Sequence, residues 1–275
     1  MGEYVEKREK LIRKMAQYAR QDVMVAFSGG VDSSLLLKLA HEAAQKTGKE
    51  VYAVTMQTRL HPTGEIEEAN RGCEEIGAVH IVIAVDELEE AGIMNNPVER
   101  CYLCKRHLFL RMKERASDLG INVILEGTNE DDLHVYRPGI KALKELQIIS
   151  PLAEAGLTKA EVRKMACEYG ISVSFKPATP CLATRFPYGT ELTYEKMARV
   201  EKGETFLKGI GLHNVRVRVH DNLARIEVDE SAFAEFLAHK KEITECLKNL
   251  GYVYITLDLE GFRSGSMDVG INEVS

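Results

Sequence analysis

The sequence offers its clearest chemistry in the segment SGGVDSS, residues 28–34. Gly29 and Gly30 have no side chains, so the backbone can turn tightly there and bring its N–H groups close to an anion. A helix that begins directly after such a loop adds unpaired N–H donors and a partial positive charge. We therefore predict an anion-binding loop at this point. Its hydroxyl donors would be Ser28, Ser33 and Ser34.

A single carboxylate, Asp32, lies among these anion donors. It either holds a cation such as Mg²⁺ or caps the helix that follows. Because no Walker A lysine follows the loop and the pattern Gly-x-Gly-x-x-Gly is absent, a P-loop NTPase and a dinucleotide-binding fold are both poor fits. The simplest alternative is an ordinary glycine-rich turn with a serine or aspartate cap. We favour the anion site because glycines, hydroxyls and a carboxylate meet at one strand–helix junction.

Thiol chemistry is a second possibility, because Cys101 and Cys104 form a CxxC pair at the start of a predicted helix. Zinc sites, redox disulfides and iron–sulfur clusters all use this spacing, so the pair alone does not choose among them. A third thiol, Cys181, lies in a predicted active-site loop that spans residues 177–189. Three thiolates from two loops would hold three irons of a [4Fe–4S] cluster and leave the fourth iron open. The remaining cysteines are expected in the core: Cys73, Cys167 and Cys246.

Arginines provide the best candidates for binding a further anion. Arg185 lies in the predicted active-site loop, and Arg216 and Arg218 alternate with valines in the segment VRVRVH. Residues two apart on a strand point to the same side, and the forked guanidinium suits a phosphate. The alternative is a solvated strand face whose arginines pair with Glu or Asp. Arg263 is a weaker candidate.

The elements that must position these groups alternate between strands and helices. Short apolar segments predict buried parallel strands at residues 23–27, 51–56, 79–84, 123–125 and 148–150. Helical segments between them predict an α/β fold with a doubly wound parallel sheet. Ligands of such sheets bind at the carboxyl ends of the strands. The Ser28 loop, the end of the strand at Met56 and the loop at Gly127 all lie there.

The pattern changes after the predicted active-site loop. Helices are predicted at residues 193–207 and 231–250, and strands capable of antiparallel pairing at 214–220, 224–228 and 252–259. This pattern indicates a separate, smaller α+β domain. We accordingly divide the chain into residues 1–185 and residues 186–275.

Composition restricts the partners and the compartment. The chain has 275 residues, a hydrophobic content of 45% and a net charge of −6. Because nucleic-acid binding needs a broad basic surface, this balance favours a small substrate over tRNA. No apolar run is long enough to span a bilayer, and the charged first ten residues are not typical of a secretion signal. We expect a cytoplasmic protein whose six cysteines serve as thiols, metal ligands or catalysts.

Several segments together resemble one family. The loop SGGVDSS is similar to the PP-loop of ATP pyrophosphatases, which split ATP into AMP and pyrophosphate. Six further segments carry a more specific resemblance: NPVERCYLCK, EGTNEDD, YRPG, CLATRFPYGT, VRVRVH and LDLEGFRSGSMD. Together with the loop, they make the chain resemble the LarE family from Val23 onward. These are PP-loop sulfur transferases that build the nickel-pincer nucleotide of lactate racemase.

This resemblance implies an adenylating domain that binds ATP and Mg²⁺, a smaller C-terminal domain and a homo-oligomer, a hexamer by the family pattern. It implies that the substrate is pyridinium-3,5-biscarboxylic acid mononucleotide, whose phosphate Arg185, Arg216 and Arg218 would bind. The implied ATP-binding residues are Ala26, Ser28, Gly29, Gly30, Asp32, Ser33, Ser34, Met56 and Gly127.

The family has two branches that differ in the source of sulfur. In one branch a lone cysteine gives up its own sulfur, and in the other three cysteines bind a [4Fe–4S] cluster that carries an extra sulfide. Cys101, Cys104 and Cys181 match the second branch, with Cys181 and Asp32 as the expected catalytic residues. Four alternatives stay open: sacrifice of Cys181, a tRNA thiolase, an amide-forming ligase and a non-catalytic module stapled by a metal.

Overall fold

The computed structural model of the protein describes residues 2–61, 63–135, 137–172, 180–263 and 265–267. These residues form two compact units, each with its own β-sheet. Unit 1 contains the described residues of 2–59, 63–92 and 99–172, and unit 2 contains the rest. The division between residues 172 and 180 lies close to the predicted boundary at residue 185. Unit 2 also takes up two short segments from the first half of the chain, residues 60–61 and 93–98.

Unit 1 alternates strands with helices, as the sequence predicts. Its strands are β1 (Val23–Ala26), β2 (Val51–Gln57), β3 (Val79–Ala84) and β4 (Val123–Leu125). Its helices are α1 (Gly2–Tyr18), α2 (Val31–Gln45), α3 (Glu65–Ile76), α4 (Glu87–Glu90), α5 (Arg100–Asp118), α6 (Gly139–Glu145), α7 (Pro151–Ala155) and α8 (Lys159–Glu168). A single 3₁₀ turn, Asp131–His134, follows β4 in the part of this unit that is described.

The sheet of unit 1 is parallel and has the strand order β3-β2-β1-β4. Its central strand β1 is covered on both faces. Val23 and Val25 pack into the core with helices α1, α2 and α8, whereas Met24 belongs to a second cluster with Phe109 and Met112 of α5. Burial on both faces explains why β1 is continuously apolar. The predicted α/β fold class is confirmed.

Two local features of unit 1 concern the ends of its elements. Helix α8 begins with a capping box, in which Thr158 and Glu161 satisfy each other's backbone N–H groups. The predicted strand at residues 148–150 is wrong in extent. The chain makes only an isolated parallel bridge between Leu125 and Ile149, because α7 begins at Pro151 and leaves no room for a longer strand.

Unit 2 is a small α+β unit. Its strands are β5 (Val215–His220), β6 (Leu223–Val228) and β7 (Tyr254–Leu257), in the order β5-β6-β7. Its helices are α9 (Tyr194–Gly209), α10 (Phe233–Ala238) and α11 (Lys240–Asn249). Thr193 caps α9 by accepting a hydrogen bond from the N–H of Lys196 at 3.2 Å.

The second sheet differs from the prediction at its last strand. Strands β5 and β6 form the expected antiparallel hairpin, but β7 pairs with β6 in parallel. The helical crossover through α10 and α11 returns the chain to the end from which β6 starts, so a parallel pairing results. The crossover also divides at His239, whereas one continuous helix is predicted over residues 231–250. Neither glycine nor proline lies at this break, so the sequence carries no signal for it.

Candidate active site

The loop between β1 and α2 is tightly folded. Gly29 has φ of 67°, a left-handed conformation in which a side chain is strained. The hydroxyl of Ser33 accepts a hydrogen bond from the N–H of Ser28 at 3.3 Å and donates to the carbonyl of Gly30 at 3.1 Å. This hydroxyl therefore closes the loop on itself. Ser34 is buried at the start of α2, whereas Ser28 is exposed.

Helix α2 begins directly after this loop. Gly30 is its N-cap, and the N–H of Ser34 makes the first intrahelical bond, to the carbonyl of Gly30 at 2.9 Å. The N–H groups before Ser34 have no partner within the helix, as at any helix start. Together with the helix dipole, they form the anion-binding geometry that the sequence predicts.

Asp32 is the second residue of α2 and does not cap it, since the cap position is Gly30 and no side-chain cap bond forms. Its carboxylate instead faces two partners from distant parts of the chain. It accepts a hydrogen bond from the ammonium of Lys159 at the start of α8, and another from the side-chain amide of Asn129 at 3.3 Å. The helix-cap alternative for Asp32 is therefore wrong.

The loop after β4 approaches α2 closely at Gly127. A Cβ added at Gly127 would lie 3.0 Å from the Cβ of Asp32 and 3.3 Å from the N of Ser33. Only glycine fits this approach without displacing the loop at residues 28–34. The carboxylate of Glu126 is buried, accepts from the N–H and hydroxyl of Thr128 at 3.0 and 2.8 Å, and lies 3.6 Å from the ammonium of Lys105.

Two further residues of the predicted ATP site, Ala26 and Met56, lie on the same edge of the sheet. Ala26 ends β1, and Met56 lies near the end of β2. Both are partly buried and pack against the cluster that contains Met24 and Val54. The carboxyl ends of β1, β2 and β4 therefore gather Ala26, the loop at residues 28–34, Met56 and Gly127, as the sequence predicts.

The CxxC pair occupies the first turns of α5 in unit 1. Cys101 is exposed and Cys104 is partly exposed, and a spacing of three residues places both thiols on one side of the helix. The next residue, Lys105, makes the ion pair with Glu126. This pair joins the start of α5 to the loop after β4, which carries Gly127 and Asn129.

Cys181 lies in unit 2, and its backbone is held rigidly. It precedes a 3₁₀ turn, Leu182–Arg185. Its carbonyl accepts hydrogen bonds from the hydroxyl of Thr184 at 2.7 Å and from the guanidinium of Arg185 at 3.3 Å. Residues 177–179 of the predicted active-site loop lie outside the described residues.

Arg185 is only 2% exposed, and its guanidinium is engaged by the carboxylate of Glu204 on α9. The Nε and Nη2 of Arg185 donate to the two oxygens of Glu204 at 2.8 and 3.0 Å. Glu204 also accepts from the N–H of Val217 at 3.1 Å. The pair therefore joins the Cys181 turn, α9 and β5.

Replacement of Glu204 by Gln should destabilise unit 2 strongly. It would leave the buried charge of Arg185 without a counter-ion, which typically costs about 3–5 kcal/mol of unfolding free energy. The matched control is Glu195→Gln on the same helix. Glu195 is exposed and pairs with Arg199 four residues on, so its loss should cost only about 0.5 kcal/mol. Urea unfolding of the two variants measures the difference, and equal midpoints would contradict the assignment.

Arg218 is likewise held by a buried carboxylate. Its Nε and Nη2 lie 3.0 and 2.9 Å from Oε2 of Glu227, which is fully buried on β6. Its Nη1 donates to the carbonyl of Thr184 at 2.9 Å. Glu227 also accepts from Arg225 at 3.3 Å and from the hydroxyl of Ser266 at 2.5 Å. The alternative considered for these arginines was a solvated strand face on which they pair with Glu or Asp. Arg218 does pair with a glutamate, but both side chains are buried.

Arg216 differs from its two neighbours. Within the described residues it makes no ion pair; its Nη1 donates to the carbonyl of Val215 at 2.7 Å, and its guanidinium lies 5.0 Å from the ring centre of Phe262. Burial, and then the nearby charge of Arg185, hold the pKa of Arg216 below its usual range. A half-buried cation that lacks a neutralising partner is a suitable receptor for an anion.

The three cysteines outside the proposed cluster, Cys73, Cys167 and Cys246, differ in how deeply they are buried. Burial raises the pKa of the Cys73 thiol to about 12, so it is an inert core residue, as predicted. Burial also raises the pKa of Cys246, which is partly buried. The prediction of a core position is wrong for Cys167, which is exposed. The buried face of α8 is formed by Val162, Met165 and Ala166, and the next residue turns away from it.

Sequence reasoning missed Lys159, Glu204 and Glu227. No sequence spacing connects Lys159 with Asp32 or Glu204 with Arg185, because each pair forms through packing of distant elements. Glu227 could have been found. Counting outward from the turn at Asp221 places it opposite Arg216 and diagonal to Arg218, and a glutamate on that face is a natural partner.

No metal-binding group is formed by three His, Cys, Asp or Glu side chains within the described part of the chain. Its helices also include none that is both long and apolar enough to cross a bilayer.

The chain matches the sequence profile of one domain family and is similar to several individual proteins. The sequence profile of the PP-loop domain matches residues 3–136. Pyridinium-3,5-bisthiocarboxylic acid mononucleotide synthase of Lactiplantibacillus plantarum is 38% identical over 248 residues, which cover 90% of this chain and 89% of the relative. An uncharacterized protein of Synechocystis sp. is 40% identical over 247 residues, which cover 89% and 91% of the two chains. Argininosuccinate synthase of Pyrococcus furiosus is 30% identical over 169 residues, or 56% of this chain and 40% of the relative.

Proposed function

This chain belongs to the LarE family of PP-loop enzymes, and from that premise we propose that it is an ATP-dependent sulfurtransferase. It adenylates the carboxylates of pyridinium-3,5-biscarboxylic acid mononucleotide and converts them to thiocarboxylates. The observation that carries the proposal is the identity of 38% with the named synthase over 90% of this chain. The geometry of the loop at residues 28–34 supports the use of ATP.

Unit 1 supplies the nucleotide site in this proposal. The backbone N–H groups of residues 29–33 and the start of α2 bind phosphate oxygens. Ala26 and Met56 offer an apolar surface to the adenine, and Gly127 permits the loop after β4 to approach. Asp32 holds Mg²⁺ once the nucleotide is bound, since a carboxylate beside phosphates is a usual magnesium ligand.

The first half-reaction activates the substrate. An oxygen of the carboxylate attacks the α-phosphorus of ATP, the bond from that phosphorus to the bridging oxygen breaks, and pyrophosphate leaves with the electron pair. The acyl-adenylate carries AMP, a far better leaving group than oxide. A sulfur nucleophile then attacks the acyl carbon, and AMP departs to leave the thiocarboxylate.

Unit 2 supplies the site for the phosphate of the substrate. Arg216 is its principal ligand, because its charge lacks an ion-pair partner in the described residues, whereas those of Arg185 and Arg218 face buried carboxylates. The Nη atoms of Arg218 can add a donor at the same face. Arg185 then acts by holding Cys181 and Thr184 in place.

Replacing Arg216 with Ala should raise the KM for the nucleotide substrate and leave the KM for ATP nearly unchanged. A charge-assisted hydrogen bond contributes about 1.5–3 kcal/mol, so the loss should be roughly tenfold or more. Arg199→Ala, which removes an exposed arginine of the same unit, is the control. Arg218→Ala is a poorer test because it leaves the buried carboxylate of Glu227 with less compensation. Equal KM values for the wild type and Arg216→Ala would mean that the arginine face serves only to stabilise unit 2.

Cys101, Cys104 and Cys181 are the proposed ligands of a [4Fe–4S] cluster. Their chemistry fits, since all three are reduced thiols and at least one thiol in each unit is accessible to solvent. When bound, such a cluster would supply one iron free to carry an added sulfide. The chain's own contribution is the spacing of the pair on α5 and the hydrogen bonds that fix Cys181. A cytoplasmic location, which keeps thiols reduced, suits this role, as does the homo-oligomer that the family resemblance implies.

The rival source of sulfur is Cys181 itself. The hydrogen bonds that Thr184 and Arg185 make to its carbonyl would serve either route, because both need its sulfur at a fixed position. Sacrifice of this thiol would leave dehydroalanine at residue 181 and limit each protein molecule to a single transfer.

The test is an anaerobic reaction with ATP, Mg²⁺, sulfide and the biscarboxylic mononucleotide. We expect AMP, pyrophosphate and a thiocarboxylate in equal amounts, identified by mass spectrometry. A parallel reaction supplies unmodified tRNA in place of the mononucleotide. Thiolation of the tRNA and none of the mononucleotide would refute the proposed substrate.

A further inference from the structure

The contact between Lys159 and Asp32 is the feature that the nucleotide site leaves unexplained. Lys159 lies 127 residues away in the sequence, yet its ammonium donates to the carboxylate of Asp32 inside the PP-loop. No other lysine or arginine pairs with Asp32 within the described residues. The ammonium therefore engages Oδ2 of the carboxylate that the proposed function assigns to a magnesium ion.

Lys159 is placed there by a rigid helix start. The capping box of Thr158 and Glu161 orders the first turn of α8, and the backbone N–H of Lys159 donates to the carboxylate of Asp131 at 2.8 Å. Its backbone is thus anchored on both sides. The side chain, by contrast, is 36% exposed, so its ammonium can move a few ångströms without disrupting packing.

Asn129 secures the other oxygen of Asp32. The Nδ2 of Asn129 donates to that oxygen at 3.3 Å, and its side-chain Oδ1 accepts from the N–H of Asp132 at 3.3 Å. Asp32 therefore keeps one fixed donor if Lys159 leaves. The arrangement allows the carboxylate to exchange an ammonium for a metal ion while its orientation is maintained.

We propose that Lys159 is a catalytic residue of the adenylation step, which exchanges its contact with Asp32 for the departing pyrophosphate. This inference rests on the proposed function. Binding of Mg²⁺ with ATP brings a dication to Asp32 and four phosphate charges to the start of α2. The ammonium of Lys159 then turns from the carboxylate to the oxygens of the β- and γ-phosphates, which the proposed function assigns to the same loop.

Its role in the step is electrostatic. As the carboxylate oxygen of the substrate bonds to the α-phosphorus, the bond to the bridging oxygen breaks, and the electron pair moves onto pyrophosphate. Lys159 donates hydrogen bonds to the oxygens on which this charge grows and transfers no proton. Stabilisation of this kind acts mainly on the transition state, so it changes kcat more than KM.

Replacement of Lys159 by Met removes the charge and keeps most of the volume. We expect kcat for pyrophosphate release to fall about a hundredfold or more, the usual effect of removing one such donor. The KM for ATP should change much less, and the affinity for inorganic pyrophosphate with Mg²⁺, measured by calorimetry, should fall about tenfold. Lys164→Met on the same helix is the matched control, since its ammonium lies over the ring of Tyr4 at 4.1 Å and outside the nucleotide site.

A second variant separates catalysis from folding. Lys159→Gln keeps a hydrogen-bond donor for Asp32 and so preserves the loop, but it has no charge. It should show the same loss of kcat and of pyrophosphate affinity as Lys159→Met, at the melting temperature of the wild type. If Lys159 only neutralises Asp32, both variants will instead keep the wild-type kcat at saturating Mg²⁺ and bind pyrophosphate normally, which overturns the inference. A wild-type protein that does not cleave ATP in the presence of substrate would refute the proposed function itself.

Discussion

The Asp32→Ala variant should release no measurable pyrophosphate while remaining folded. Asp32 is the only carboxylate of the loop at residues 28–34, and its charged partner Lys159 has a side chain that is 36% exposed, so solvent can satisfy that ammonium in the absence of Asp32. In the proposed reaction, Mg²⁺ would then lose its protein ligand beside the triphosphate. A bound metal contributes several kcal/mol to the stabilisation of transition-state charge, so we expect a loss of about a thousandfold or more in kcat.

A coupled assay for pyrophosphate measures this loss, with circular dichroism as the check on folding. Asp118→Ala is the control, because it removes an exposed carboxylate from the same unit. Wild-type release by Asp32→Ala would show that the loop does not hold the metal. A loss of equal size in both variants would point to a general effect of charge on unit 1.

The second large effect concerns the three cysteines, which should behave as a single unit. A cluster held by two thiolates is anchored poorly and exposes a second iron to water and oxygen. Replacement of Cys101, Cys104 or Cys181 by Ala should therefore remove most of the iron and nearly all sulfur transfer. Pyrophosphate release should survive in each variant, because the loop at residues 28–34 supplies that step independently.

Cys167→Ala is the matched control, since it removes an exposed thiol from α8. It should keep both iron and activity after anaerobic reconstitution. The sacrificial route forecasts a different pattern: only Cys181→Ala would be inactive, and Cys101→Ala would still complete one transfer per molecule. A structural zinc site forecasts a colourless protein with bound zinc and no iron. Either pattern would refute the cluster.

The parts of the site that follow from local sequence could be predicted. The loop at residues 28–34 follows from its glycines and its place between an apolar strand and a helix. The start of α8 follows from the capping box of Thr158 and Glu161. The antiparallel register of β5 and β6 follows from the turn between them. In each case the residues that interact lie within a few positions or on adjacent strands.

The remainder depends on how distant elements pack, which no local pattern encodes. The contact of Lys159 with Asp32 exists because α8 packs beside α2, and the contact of Glu204 with Arg185 because α9 packs beside the Cys181 turn. The parallel pairing of β7 arises in the same way, from a crossover that divides at a histidine rather than at glycine or proline. For the same reason, the sequence does not show that Arg185 and Arg218 pair with buried glutamates whereas Arg216 has no ion pair among the described residues.

The most direct test of the central claim follows an oxygen atom. If the substrate carboxylate attacks the α-phosphorus, one of its oxygens must leave with AMP when sulfur replaces it. Mononucleotide labelled in both carboxylates with the heavy isotope of oxygen is therefore converted with unlabelled ATP, and the AMP is analysed by mass spectrometry. The account predicts one heavy oxygen in each AMP formed per thiocarboxylate. Unlabelled AMP, or the appearance of ADP in its place, would contradict adenylation of the substrate.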